Sequence, residues 1–116
     1  MILNFPERDK GPGFCFSKDP QGRLMFCLKD KNEETLFIGL KRFYFRSDCN
    51  KHISELKSVL NEQENYDKRY LGDGCWYFII NNKEGNICAY SMMYKSREVM
   101  DEKIILIRQM AALIAV

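Results

Sequence analysis

The sequence holds one histidine, His52, and its five cysteines, Cys15, Cys27, Cys49, Cys75 and Cys88, include no Cys-x-x-Cys spacing. A zinc site needs four ligands at closely paired spacings, so no metal is expected, and no other cofactor signature is present. An odd thiol count without a secretion signal gives no disulfide framework, which points to a reducing cytoplasm. Residues 1–10 carry no basic segment followed by an apolar run and do not read as a signal peptide. No stretch approaches the ~20 apolar residues of a membrane span, so no membrane partner is expected. Net charge is also scarce: 18 basic against 16 acidic residues leave +2. Nucleic-acid binders usually show a strong, clustered basic excess, and this chain lacks one.

Catalytic motifs are missing too. Gly11-Pro12-Gly13 and Gly72-Asp73-Gly74 lack the spacing and the following helix of a phosphate loop. Cys49 and His52 stand one helical turn apart, but nothing orients the imidazole. The pair reads as a structural thiol beside a solvated or capping histidine. Glu33-Glu34 and Asp101-Glu102 read as solvated charge, the latter favoured by a helix dipole. No catalytic residues are assigned, and an enzyme is the least favoured reading.

What the sequence does have is self-similarity. Shifted by 51 positions, its first half lies on its second half without a gap, placing Glu33 on Glu84, Arg46 on Arg97 and Ile53 on Ile104. Hydrophobic character follows the same register: Phe26 against Tyr77, Leu28 against Ile79, Leu36 against Ile87, Phe43 against Tyr94, Leu56 against Ile107. Such a repeat is one supersecondary unit used twice, each copy burying a face that neither could bury alone. At 116 residues the chain is one domain. It divides into an arm (1–12), a first repeat (13–63) and a second repeat with an apolar tail (64–116).

Each repeat reads as three strands and a helix. Strands are expected at Phe14–Lys18, Arg23–Asp30 and Glu34–Leu40, joined by turns too short for parallel crossovers. Ser47 or Asp48 is the expected N-cap of a helix carrying Cys49, Ile53, Leu56 and Leu60 and fading near Asn61–Asn65. The second copy repeats this with Tyr66–Tyr70, Cys75–Asn81, Ile87–Met93 and a helix capped by Ser96. That second helix is apolar on more than one face through Ile104-Ile105-Leu106-Ile107. A helix apolar most of the way round is buried on more than one side. Either the tail, residues 112–116, leaves the helix as a short strand inserted in a sheet, or it packs against a second chain.

The units resemble the YegP-like family, small bacterial proteins with a domain of no assigned function. The resemblance rests on Phe26-Cys27-Leu28-Lys29-Asp30-Lys31-Asn32-Glu33-Glu34-Thr35-Leu36, Phe43 and Ile53-Ser54-Glu55-Leu56 in the first unit. In the second it rests on Trp76-Tyr77-Phe78-Ile79-Ile80-Asn81-Asn82-Lys83-Glu84-Gly85-Asn86-Ile87, Tyr94-Lys95-Ser96 and Ile104-Ile105-Leu106-Ile107. It implies an α+β fold: two tandem βββα repeats in a single antiparallel sheet, helices packed on one face, and strand exchange between the halves. It supplies no site residues.

For function, the leading expectation is a non-enzymatic cytoplasmic module that binds a protein partner or forms a homodimer through the C-terminal helix and tail, with Ile105 and Leu106 as candidate contacts. The alternative is a single-stranded nucleic-acid binder using the sheet face. Its candidates come from Lys41-Arg42-Phe43-Tyr44-Phe45-Arg46, namely Arg42, Tyr44 and Arg46. Interleaved acids and the core-like register of Phe43 weigh against it.

Overall fold

Leu24, Phe26 and Leu28 are buried while Met25, Cys27 and Lys29 between them are half-buried. This period of two belongs to a strand with one face in a core. In the computed structural model, which describes residues 13–113, six such strands form one antiparallel sheet. They are β1 (Gly13–Lys18), β2 (Leu24–Lys29), β3 (Thr35–Gly39), β4 (Tyr66–Gly72), β5 (Cys75–Asn81) and β6 (Ile87–Ser91). Helix α1 (Arg46–Lys57) follows β3 and helix α2 (Arg97–Leu113) follows β6. The fold is α+β.

Strand order is β1-β2-β3-β6-β5-β4, palindromic about the β3–β6 pair. The expected strand exchange is not present, because each set of three sequential strands stays together. The reason is local: the linkers are short, so each strand pairs with its sequence neighbour. The halves meet where Phe37, Ile38 and Gly39 pair with Ser91, Tyr90 and Ala89.

The expected register also needs correction. In the strands and turns, equivalent positions lie 52 apart, as Ile38 and Tyr90 do at the centre of the palindrome. Asp30 accepts the N–H groups of Asn32 and Glu34, and Asn82 accepts those of Glu84 and Asn86. Glu33 and Gly85 take the left-handed conformation at φ 65° and 84° in those turns. The buried Phe26, Leu28 and Leu36 therefore match Phe78, Ile80 and Cys88, all buried, rather than Tyr77, Ile79 and Ile87. The offset falls to 51 in the helices because Leu40, Lys41 and Arg42 separate Gly39 from Phe43, whereas only Met92 and Met93 separate Ser91 from Tyr94.

One core joins the sheet to both helices. It takes Leu24, Phe26, Leu28, Phe37, Phe78 and Ile80 from the strands, Cys49, Ile53 and Leu56 from α1, and Met100, Ile104, Ile107 and Met110 from α2. Phe43 and Tyr94 are core residues, in keeping with their shared register. Gly39 lies flush under Phe26; a Cβ there would sit 2.2 Å from two ring carbons. At the equivalent Ser91, the hydroxyl accepts the Phe78 N–H and donates to the Met92 carbonyl.

The helices start at equivalent positions, Arg46 and Arg97, but their caps differ. Ser96 Oγ accepts the Val99 N–H at 3.1 Å, as expected. In α1 the N-cap is Phe45, which has no side-chain cap, and Ser47 and Asp48 lie inside the helix. Extended backbone at Phe45 starts the helix two residues early, because Phe43 is anchored to β2 through its backbone bonds with Leu24. Helix α1 ends at Lys57, and the buried Val59 and Leu60 follow in turns. No helix among the described residues is long and apolar enough to cross a membrane.

Candidate interaction surface

Residues directly opposite on paired strands share a face. One such row crosses all six strands: Cys15–Cys27–Ile38–Tyr90–Ile79–Asp67. It lies on the side away from the helices. Cys15 and Ile79 are buried, at 7% and 8% exposure, yet both stand outside the core cluster that the helices complete. Cys27, Ile38 and Tyr90 between them are half-buried. Antiparallel sheets with one wet face normally alternate polar residues onto it. Here the row is uncharged across five strands and meets its only charge at the β4 edge. Met25 and Tyr77 extend the apolar area beside it, while Lys29 and Arg69 stand toward its margins. Arg69 is paired in place, with Nη2 2.7 Å from Asp67 Oδ2, a bond that holds the Asp67 carboxyl below its ordinary pKa.

The sequence-derived candidates are dispersed over the other side. Ile105 is 53% exposed on α2, whereas Leu106 packs partly against the core. Tyr44 is 73% exposed at the start of α1, beside Phe45. Arg46 stacks on Phe16 at 3.8 Å and donates to Asn50. Arg42 Nε lies 3.8 Å from Asp19 Oδ2. Phe16 pairs with Phe26 and so shares the helix side of the sheet. The basic-aromatic segment therefore approaches the helix layer and does not decorate the open sheet face. In Tyr66–Tyr70, Lys68 also turns to the helix side and pairs with Asp101 at 2.8 Å.

His52 is neither solvated nor a cap. Its ring is wedged against Phe26 and Phe43, with centroids 5.6 and 5.2 Å away. Burial, assisted by Lys41 and opposed by Glu55, pushes its pKa down. Burial pushes the Cys49 thiol up to about 11, so it is protonated at neutral pH and no nucleophile. None of the five cysteines is in a disulfide. Among the described residues, no group of three or more His, Cys, Asp or Glu is placed to hold a metal ion.

Sequence reasoning missed the row of Cys27, Ile38, Tyr90 and Ile79. The available signal was strands apolar on both faces, as in Cys75-Trp76-Tyr77-Phe78-Ile79-Ile80, within a protein whose two helices can cover only one.

No family model matches the chain. Curated relatives to which it is similar include the UPF0339 protein YegP of Escherichia coli strain K12 and that of Shigella flexneri. Each is 26% identical over 85 residues, which span 73% of this chain and 76% of the relative. The solution NMR structure of E. coli yegP, described as a protein of unknown function, superposes with a TM-score of 0.73 at 20% identity, covering 96% of this chain and 88% of that one. A UPF0339 protein of Shewanella oneidensis gives 0.76 at 20% identity over 85% and 83% of the two chains.

Proposed function

Taking as premise that the chain is a YegP-like family member, we propose that it is a non-enzymatic self-association module whose helix-free sheet face packs on the same face of a second copy. The observation that carries this is the uncharged Cys15–Cys27–Ile38–Tyr90–Ile79 row on a sheet face to which, among the described residues, neither helix packs. Size supports it. Six strands ~4.8 Å apart, each about six residues long at ~3.3 Å per residue, give a footprint of roughly 600 Å² before side-chain corrugation. A standard interface buries about 800 Å² per partner. Two such faces packed about 10 Å apart would form an ordinary sheet sandwich. The doubled βββα order and its regular spacing support reading 13–63 and 64–116 as copies of one unit.

Light scattering behind size exclusion tests the proposal. The wild type elutes as a dimer, Ile38→Lys elutes as a folded monomer, and Ile105→Glu on the competing α2 surface stays dimeric. A wild-type monomer at ~100 µM, or a dimer dissolved by Ile105→Glu and kept by Ile38→Lys, would overturn the proposed surface.

A further inference from the structure

A cavity of about 260 Å³ opens on the helix side, between the end of α1 and the β5–β6 turn. Leu56, Val59 and Cys88, all buried, form its apolar floor, and His52, Glu55 and Glu84 stand around it with one cation, Lys83, against the two carboxylates. The His52 Nε2 is buried and meets no hydrogen-bond partner among the described residues. Such groups are rare because they forgo hydration without replacement.

The palindromic fold supplies an internal comparison. By the same sequence offsets, beside α2 Lys103 stands for His52, Leu106 for Glu55 and Leu36 for Cys88, while Met110, still within α2, stands for Val59 in the turn after α1. That crevice is filled. Leu36 and Met110 are buried, Leu106 packs on the core, and Lys103 lies across to the β2–β3 turn with Nζ 2.9 Å from Glu34 Oε1. On the α1 side the four replacements are smaller or polar. They leave space where the other half holds a leucine, a methionine and a lysine chain, and they bring Glu55 and Glu84 to its rim.

We propose that this crevice binds a primary alkylammonium group, its chain over Leu56, Val59 and Cys88 and its ammonium at Glu55 and Glu84. The chemistry follows the filled crevice, where an aliphatic chain crosses an apolar floor and its ammonium meets a carboxylate. An ammonium brings three donors, and each carboxylate only accepts. The cation can come from a free amine or from a lysine of another protein. The crevice is on the helix side, so its occupancy is separate from association through the sheet face.

The test is an amide-shift titration of the full ¹⁵N-labelled chain with n-butylammonium chloride, against sodium chloride at matched ionic strength and n-butanol as neutral isostere. Saturable shifts confined to residues 52–59 and 82–88 are expected, with half-saturation in the millimolar range, on the order of 10 mM. Butanol should bind at least about tenfold more weakly, because it lacks the charge-assisted bonds. Glu84→Gln should weaken binding severalfold. Val59→Met with Cys88→Leu, which copies the filled crevice, should abolish it. Non-saturating or scattered shifts, an equal response to butanol, or undiminished binding by Glu55→Gln and Glu84→Gln together would overturn the proposal; this last pair is on the surface and decides the matter even if the filled variant fails to fold. Nα-acetyl-lysine N-methylamide separates the sources. Shifts at the same amides assign a lysine side chain, and shifts with butylammonium alone assign a free amine.

Discussion

Gly39→Ala isolates one contact on which the join between the halves depends. Replacing glycine inside a strand ordinarily stabilises by about 0.5–1 kcal/mol, through the entropy of the unfolded chain. Here the new Cβ would lie 2.2 Å from Phe26 Cε1 and Cζ and 2.7 Å from Cε2. Ordinary contact begins more than 1 Å farther out. The ring has little room to retreat, being 2% exposed and closed in by Phe14 and His52. Overpacking of this kind costs about 1–3 kcal/mol, and the ceiling is ejection of the ring, about 3–5 kcal/mol for Phe→Ala. We expect a net loss of about 2–4 kcal/mol. At roughly 4–8 °C per kcal/mol for a domain of this size, the melting temperature falls by about 10–25 °C. Thermal unfolding followed by circular dichroism measures the shift, and urea unfolding the free-energy loss. Phe26→Leu in the same chain should recover at least about 1 kcal/mol relative to additivity. An unchanged or raised melting temperature for Gly39→Ala would refute the flush packing of Phe26 on Gly39.

Three further outcomes follow from the same packing. The folded-state pKa of His52 lies below its ordinary value, so the unfolded chain takes up the proton first as pH falls. Stability is therefore full above about pH 7 and declines as pH drops through ~6.5 toward the folded value; His52→Phe should flatten that segment of a urea-midpoint profile between pH 7.5 and 5.5, and an unflattened profile contradicts the buried imidazole. Cys49, raised to about 11 and fully buried, should resist thiol reagents in the native protein at pH 8, with the half-buried Cys75 at the start of β5 reacting first; early labelling of Cys49 in peptide maps refutes this. Asn82→Ala should cost about 1–2 kcal/mol, because the Glu84 and Asn86 N–H groups lose their acceptor and the β5–β6 turn loosens.

Much of the fold was legible because its signals are local. Alternation in Leu24–Leu28, the Ser96 cap and the Asp73-Gly74 turn each declare themselves within a few residues. The helices carry the 51-residue offset faithfully through Arg46 and Arg97. The strands hide a one-residue slip, since a slip exchanges faces and Tyr77 or Phe78 looks equally apolar in either place. Only the partners fix it: Phe78 lies over Ser91 as Phe26 lies over Gly39. The α1 start was misjudged because Ser47 and Asp48 are good caps by composition, while the anchor that decides is the long-range bridge between Phe43 and Leu24. The His52 crevice was illegible for the same reason, since it brings His52 to Glu84 and Cys88, more than thirty positions away. The sheet row left a trace in strands apolar on both faces, but joining its two halves takes the long-range pairing of Ile38 with Tyr90.

In the proposed assembly, two copies meet through the sheet face that carries Cys27, Ile38, Tyr90 and Ile79. Cross-saturation between a deuterated, ¹⁵N- and methyl-labelled copy and an unlabelled one reads the contact directly. The account predicts that saturation transfers to the Ile38 and Ile79 methyls and to the amides of Cys27 and Tyr90, while the Ile105 methyl is untouched. Transfer concentrated at Ile105 and the end of α2, with the sheet row silent, would contradict it.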